Sequence, residues 1–299
     1  VGQLRVGTAS WTDKTLLESG WYPPEASTPE ERLKFYSSQF PVVEVDSTYY
    51  GLPSERNAVL WVERTPKDFT FDVKAFSLMT GHPVLLKGLP KDVREDLGEE
   101  KGPRVSAKDV PADAVEKVWE MFRSALMPLH SAGKLGLVMF QYPQWFMPSR
   151  ANREEILKAR EQLPDYDIAV EFRQGTWFKN ADYTRKTLDF LTSEGIPFVC
   201  VDMPQGFASS VPPIAEATSD RFALIRFHGR RTETWHKKNV GPTERFRYDY
   251  SDEELREWAP KIRGLNEEAK ETHALFNNCY RDYAVRNART FGQMVLADE

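Results

Sequence analysis

Short apolar runs that end on a charged or amide side chain recur along this chain. They lie at residues 42–50, 69–76, 135–143, 168–173, 198–203, 223–230 and 274–278, and helical patterns separate most of them. A further strand is expected at residues 4–9. Strands and helices that alternate in this way predict an α/β fold: a TIM-type parallel (β/α) barrel of eight strands, or seven if one weak strand is lost. In such barrels the functional groups crowd the C-terminal ends of the strands. The pattern therefore locates a site without naming its reaction.

The helices announce themselves by their caps. Thr28-Pro29-Glu30-Glu31 combines an N-cap, a proline at the first helical position and a capping-box glutamate. Ser251 to Glu254 repeats the capping box, and Leu255, Trp258, Ile262 and Leu265 then fall on one helical stripe. Val115, Val118, Phe122 and Ala125 mark another such stripe. Gly195 reads as the residue just past a helix end, with Pro197 opening the next strand. Between the sixth and seventh strands only a short helix fits, at residues 212–219. Residues 82–111 are rich in Gly, Pro and charge and read as an excursion loop on the functional face. No linker or repeat divides the 299 residues, so one barrel domain is expected over 1–299.

Strand side chains alternate between faces. In a barrel the outer face meets helices and is apolar. Val43 and Val45 outward leave Glu44 and Asp46 inward. By the same rule Asp72 and Lys74, Glu171 and Arg173, Asp202, and Arg226 and His228 point inward, as do Gln141 and Asn277. Glu44 and Asp72, deeper in their strands, read equally well as a buried ion-pair network, which is a weak source of stability.

Lys74 and Glu171 form the sharpest catalytic pair. A lysine at a barrel mouth serves as base, electrophile or nucleophile once its pKa falls, and a carboxylate can share the proton transfer. Residues 226–247 hold seven Lys or Arg against two Glu. Arg226, His228 and Arg230 are expected to hold an anion there, with Arg173 beside them, because barrels often bind phosphate after their seventh and eighth strands. Gly229 would let a ligand approach the backbone. Aromatic residues, Trp11, Tyr49 and Trp177 among them, lie near these ends and suit either a flat ligand or plain packing.

Composition narrows the classes. A net charge of −5 argues against a general nucleic-acid coat. No apolar stretch approaches the ~18 residues of a membrane span. Two cysteines, Cys200 and Cys279, make no disulfide framework and no zinc spacing, which fits a reducing, cytoplasmic setting. No cofactor is expected, and no metal. A single ion on Glu171, Asp202 and His228 is the alternative, as part of a metal-assisted phosphoesterase or nucleic-acid-binding barrel. A non-catalytic anion-binding module is a third reading. The expected partner is a small anionic ligand, phosphorylated or carbohydrate-like. The sequence leaves the oligomeric state open.

Stretches spanning nearly the whole chain resemble the YecE-like family, a domain of unknown function (number 72). They are VGTASWTD, GWYPP, FPVVEVDSTYYGLPS, FTFDVKAFSLMTGHP, KLGLVMFQYPQWF, AVEFRQGTWF, IRFHGRRTETW and FNNCYRDYAVRNA. The resemblance implies a TIM-type barrel. It marks Glu44, Ser47, Lys74, His82, Gln141, Glu171, Arg173, Asp202, His228, Arg230, Asn277 and Asn278 as motif members but carries over no reaction. Ser10 and Trp11 fall in the first matching stretch and are expected at the mouth. The family's barrel has been likened to endonuclease IV, yet the five histidines here do not supply a tri-zinc site.

Overall fold

The computed structural model describes residues 1–97, 102–237 and 239–296. Eight strands form one parallel sheet: β1 (Gln3–Ala9), β2 (Val42–Val45), β3 (Thr70–Lys74), β4 (Leu135–Gln141), β5 (Asp167–Glu171), β6 (Val199–Asp202), β7 (Phe222–Phe227) and β8 (Glu271–Phe276). Their order in space is β5-β4-β3-β2-β1-β8-β7-β6. A parallel bridge between Val170 and Phe198 brings the two edges together, so the sheet nearly closes into a barrel. Helices surround it, as the alternating pattern predicts, and the whole is a single-domain TIM-type fold.

The caps act as the sequence predicts. Thr28 and Glu31 complete a capping box on the helix Pro29–Gln39, and Ser251 and Glu254 complete another on Asp252–Glu268. Each box satisfies amide donors that the first helical turn cannot. The helix Ala181–Ser193 ends before Gly195, whose φ of +63° suits a residue without a Cβ. The short helix expected between β6 and β7 does not form; residues 203–221 cross over as coil. Its prolines at 204, 212 and 213 remove amide donors that a helix needs.

Outer faces pack on helices through aromatic rings. Phe140 of β4 stacks on Trp119 of the helix Ala112–Ser131, with centroids 6.0 Å apart. Phe227 and Phe276 stack at 4.3 Å and meet Phe291 of the helix Tyr283–Leu296. The apolar cover leaves polar side chains of β2, β3, β5, β7 and β8 facing the lumen, fully buried except at the rim.

The lower lumen holds a pair of its own. His273 of β8 lies 2.8 Å through Nδ1 from an oxygen of Asp72 on β3, and both are wholly buried. The other Asp72 oxygen accepts from the Leu137 amide at 2.8 Å. This geometry needs Gly136: a Cβ there would come within 2.3 Å of the Asp72 carboxylate, and the β3–β4 register shifts beside it.

The alternation rule fails at one strand. Val201 pairs with Arg226, and Asp202 pairs with Phe227. Arg226 faces in, so Val201 does too, and Asp202 points out into the helix layer. There it accepts from Trp258 Nε1 and Tyr250 Oη, each at 2.7 Å. Apolar residues line both faces of β6, so hydrophobicity could not tell in from out.

The excursion at about 82–111 is more than a loop. Val84–Leu85 and Arg104–Val105 form a short antiparallel ladder, and Lys91–Leu97 is helical. Residues 98–101 of the excursion lie outside the described residues. His82, where it begins, sits at the mouth, with its ring 5.4 Å from Tyr49 and 5.7 Å from Trp145.

Candidate functional site

The C-terminal ends of the strands surround a cleft of about 500 Å³. Its floor is an ion-pair network that crosses the barrel. Arg226 donates from Nε and Nη2 to the two oxygens of Glu44, at 2.8 and 2.7 Å, and from Nη1 to Glu171 at 2.6 Å. The other Glu171 oxygen accepts from Arg173 Nε and lies 3.2 Å from His228 Nε2. Arg173 also donates to Gln141 at 3.1 Å. Four strands, β2, β4, β5 and β7, thus contribute to one buried lattice.

The electrostatics follow from this wiring. Burial pushes the Glu171 carboxyl up, but Arg173, Arg226 and His228 outweigh it and hold the group well below the usual carboxylate range. Burial, with the Arg173 charge beside it, lowers His228 to about 3, so the imidazole is neutral. Its Nδ1 lies 2.9 Å from the Asn277 amide nitrogen. A neutral ring that donates from Nε2 to Glu171 and accepts at Nδ1 from Asn277 fits both of those partners, while Arg173 Nη2, 3.1 Å from the same Nε2, donates to Gln141 instead.

Lys74 differs from its neighbours. It ends β3 and lines the cleft, and its Nζ stands 4.6 Å from the Tyr49 ring centroid. Among the described residues no carboxylate lies within 4.0 Å of that ammonium. Burial, then the Arg226 charge, lowers its pKa to about 8, against the pull of Glu44 and Glu171. Arg245 also lines the cleft; it makes no ion pair among the described residues, and its buried Nε has no hydrogen-bond partner. Aromatic rings rim the opening: Tyr49, Tyr50 and the exposed Trp145 on one side, Trp235 and Phe246 contributed by residues 231–250. Burial, then the positive charges of Lys74 and Arg173, lower the pKa of His82 to about 4, and its Nδ1 pairs with Thr80 Oγ1 at 2.8 Å.

The structure brings some of the expected residues together and separates others. Tyr49, Lys74, His82, Gln141, Arg173 and Asn277 line the cleft. Glu44, Glu171, Arg226 and His228 lie at or beneath its floor. Ser10, with φ of +70°, turns the chain at the end of β1, where its hydroxyl accepts from the Thr12 amide. Trp11 is buried edge-on against Trp61 and Phe71. Ser47 is exposed at the start of a short turn. Trp177 is fully buried, and its indole donates to the Phe146 carbonyl at 2.6 Å. Asn278 donates to Tyr248 and Asn287 behind β8.

Two expectations about the anion site need correction. Arg226, His228 and Arg230 do not converge on one ligand. The chain kinks at Gly229, whose φ is +85°, and sends Arg230 outward to Asp202, to which Nη2 donates at 2.8 Å. Glu257 takes the same nitrogen at 2.8 Å. Nor does Gly229 leave space for a ligand: a Cβ there would meet the Tyr248 side chain at 2.5 Å. The alternative metal set of Glu171, Asp202 and His228 is likewise split, because Asp202 lies on the other face of the sheet. Sequence reasoning gave no role to Asp46 or Arg245, both of which line the cleft. Alternation did place Asp46 inward; nothing in the sequence said that, among the described residues, its carboxylate would be left without an ion pair.

The model of the family described as "Protein of unknown function DUF72" matches residues 5–299. The chain belongs to the DUF72 family. A relative in Bacillus subtilis, the UPF0759 protein YunF, is 34% identical over 279 residues, covering 92% of this chain and 88% of that protein. Among solved structures, a DUF72 family protein of Thermotoga maritima is 34% identical, with a TM-score of 0.76 over 99% of this chain and 100% of the other. A DUF72 family protein of Enterococcus faecalis is 25% identical, with a TM-score of 0.78 over 98% and 95% of the two chains. The DUF72 barrel is thus shared over full-length relatives, and its description names no reaction. Among the described residues no helix is long and apolar enough to cross a membrane.

Proposed function

We propose that this protein is an enzyme acting on a small anionic substrate at the barrel mouth. Lys74 and Arg245 hold the anion, and the aromatic rim covers a flat or cyclic part of the molecule. One observation carries the reading: the Lys74 ammonium opens into the cleft with no carboxylate within 4.0 Å among the described residues, directly above arginines that are fully paired. A cation left without a partner beside a lattice of answered charges is costly to bury, and an incoming phosphate or carboxylate offsets that cost. Position supports the reading too, since barrel enzymes work at this end of their strands. A pKa near 8 keeps Lys74 charged at neutral pH yet able to exchange a proton.

Titration calorimetry with inorganic phosphate, a sugar phosphate and a dicarboxylate tests the binding part. Wild type should bind at least one of them with an affinity that falls as salt rises. Lys74→Met should weaken that binding by about tenfold, or ~1.4 kcal/mol. Equal binding by both proteins would remove Lys74 from the anion site.

A further inference from the structure

Sequence reasoning paired Lys74 with Glu171, but the structure leaves Glu171 no freedom. Its two oxygens face Arg226 Nη1, Arg173 Nε and His228 Nε2. A carboxylate with three such partners neither takes up a proton readily nor turns toward a substrate. Glu44 is similarly closed, with both oxygens bound by Arg226. Another carboxylate in the cleft is open.

Asp46 follows the last residue of β2. The parallel register sets Glu44 beside Asp72 and Val45 beside Val73, so the next rung places Asp46 beside Lys74, on the lumen side of both strands. The ladder stops there, because the chain turns into the short helix Ser47–Tyr49. Asp46 lines the cleft, and among the described residues its carboxylate has no ion pair and no side-chain partner. The two opposite charges are neighbours that do not close on each other. The Tyr49 ring, three residues along from Asp46, takes the ammonium at 4.6 Å instead. An aspartate and a lysine on adjacent strands, both lining one cleft and both unpaired, leave room for a substrate group between them.

We propose that Asp46 and Lys74 form the proton-transfer pair of this site, with Asp46 as base and Lys74 as acid. The proposal rests on the reading of the mouth as an anion-binding enzyme site. Asp46 takes one proton from the substrate, or from a water that attacks it. Lys74 gives one proton to the substrate oxygen that gains negative charge. The pair ends with Asp46 protonated and Lys74 neutral, total protons unchanged, and once the product leaves, proton exchange with solvent restores both groups. Tyr49 is the positioning residue that holds the ammonium apart from the carboxylate.

The surrounding charges suit these roles. Burial raises the Asp46 carboxyl, opposed by Lys74 and Arg226, while Asp13 adds to the rise. Burial lowers Lys74, with Arg226 and Arg173 acting in the same direction and Glu44 and Glu171 against it. His82, facing both Lys74 and Arg173 from the excursion, stays neutral. A base drawn up and an acid drawn down lie closer to neutral pH, where each can exchange protons.

Carbon-detected NMR titration of labelled Asp carboxyls and Lys side chains, on the intact protein, tests the pair without a known substrate. Asp46 should titrate above the ordinary aspartate value and Lys74 near 8. Asp46→Asn should lower the Lys74 midpoint, and Lys74→Met should raise that of Asp46, each by roughly half a unit or more. Tyr49→Leu should enlarge the coupling by letting the two groups approach. An Asp46 that titrates at or below the ordinary value, or mutual shifts below ~0.2 unit, would overturn the pair. Inorganic phosphate provides the independent arm. If it raises the Lys74 midpoint while the mutual shifts are missing, the anion site stands and the pair fails. If the mutual shifts are present and phosphate moves nothing, the pair stands and the anion reading fails.

Discussion

The floor of the cleft and its walls are built from the same residue types to opposite ends. On the floor, Arg226 meets Glu44 and Glu171, and Glu171 meets Arg173, so each charge is answered within hydrogen-bond distance. One layer higher, Lys74, Asp46 and Arg245 line one cleft, and none has an ion pair among the described residues. Closed networks fix geometry: every group in them already has a partner better placed than a ligand could be. Groups left open above such a network are positioned by it and are free to act. Charge inside a barrel is thus a poor indicator of function until its partners are known.

The largest effect should come from breaking the floor. Arg226→Met leaves Glu44 buried and unpaired and takes from Glu171 the partner of one oxygen, and should cost ~3–5 kcal/mol in urea unfolding. A loss below ~1 kcal/mol would mean that the lattice relaxes freely, and the contrast between floor and walls would lose its basis.

The pair in the lower lumen should reveal itself through pH. Burial opposes the charged His273 ring, but Asp72 and Glu271 prevail and raise its pKa to about 9, from an ordinary 6.5. The folded-state value lies above the unfolded one. The stabilisation is therefore fully present below about pH 6.5 and is lost as pH rises toward 9. Wild type should exceed His273→Gln by roughly 2–3 kcal/mol at pH 6, with the gap shrinking by pH 9.5. A gap independent of pH would show that the ring is neutral and only packs.

Arg230→Ala separates the outer face from the lumen. It removes donors to Asp202 and Glu257, and the guanidinium is partly exposed, so about 1 kcal/mol of stability should go. Phosphate binding should be unchanged. A matching loss of phosphate affinity would return Arg230 to the anion site.

The smallest change in stability should come from Lys74→Met. Removing a half-buried cation without a carboxylate partner costs little, and unfolding should shift by less than ~1 kcal/mol in either direction. A loss as large as that of Arg226→Met would place Lys74 in the structural lattice.

Much of the fold was legible in advance because its signals are local. Capping boxes at Thr28 and Ser251, the helical stripe from Val115 to Ala125 and the two-residue period of β2 and β3 each depend on neighbours in sequence. The same period correctly turned Glu44, Asp72, Lys74, Glu171, Arg173, Arg226 and His228 inward. It failed at Asp202, since β6 is apolar on both faces and only its pairing with Arg226 sets the parity. Arg230, expected at the anion from its basic surroundings, instead turns outward to Asp202 just after Gly229, whose φ is +85°.

The sequence by itself determined that this chain is a parallel barrel, and that its charges gather at one end and inside. Those features follow from periodicity and caps, which act over a few residues. Only the tertiary structure decided which of those charges are spent. Arg226 reaches Glu44 across 182 positions of sequence, and His273 reaches Asp72 across 201. Whether a charge is answered depends on such distances in space. That is why Glu171 turned out to be locked and Asp46 open, although alternation gave both the same inward direction.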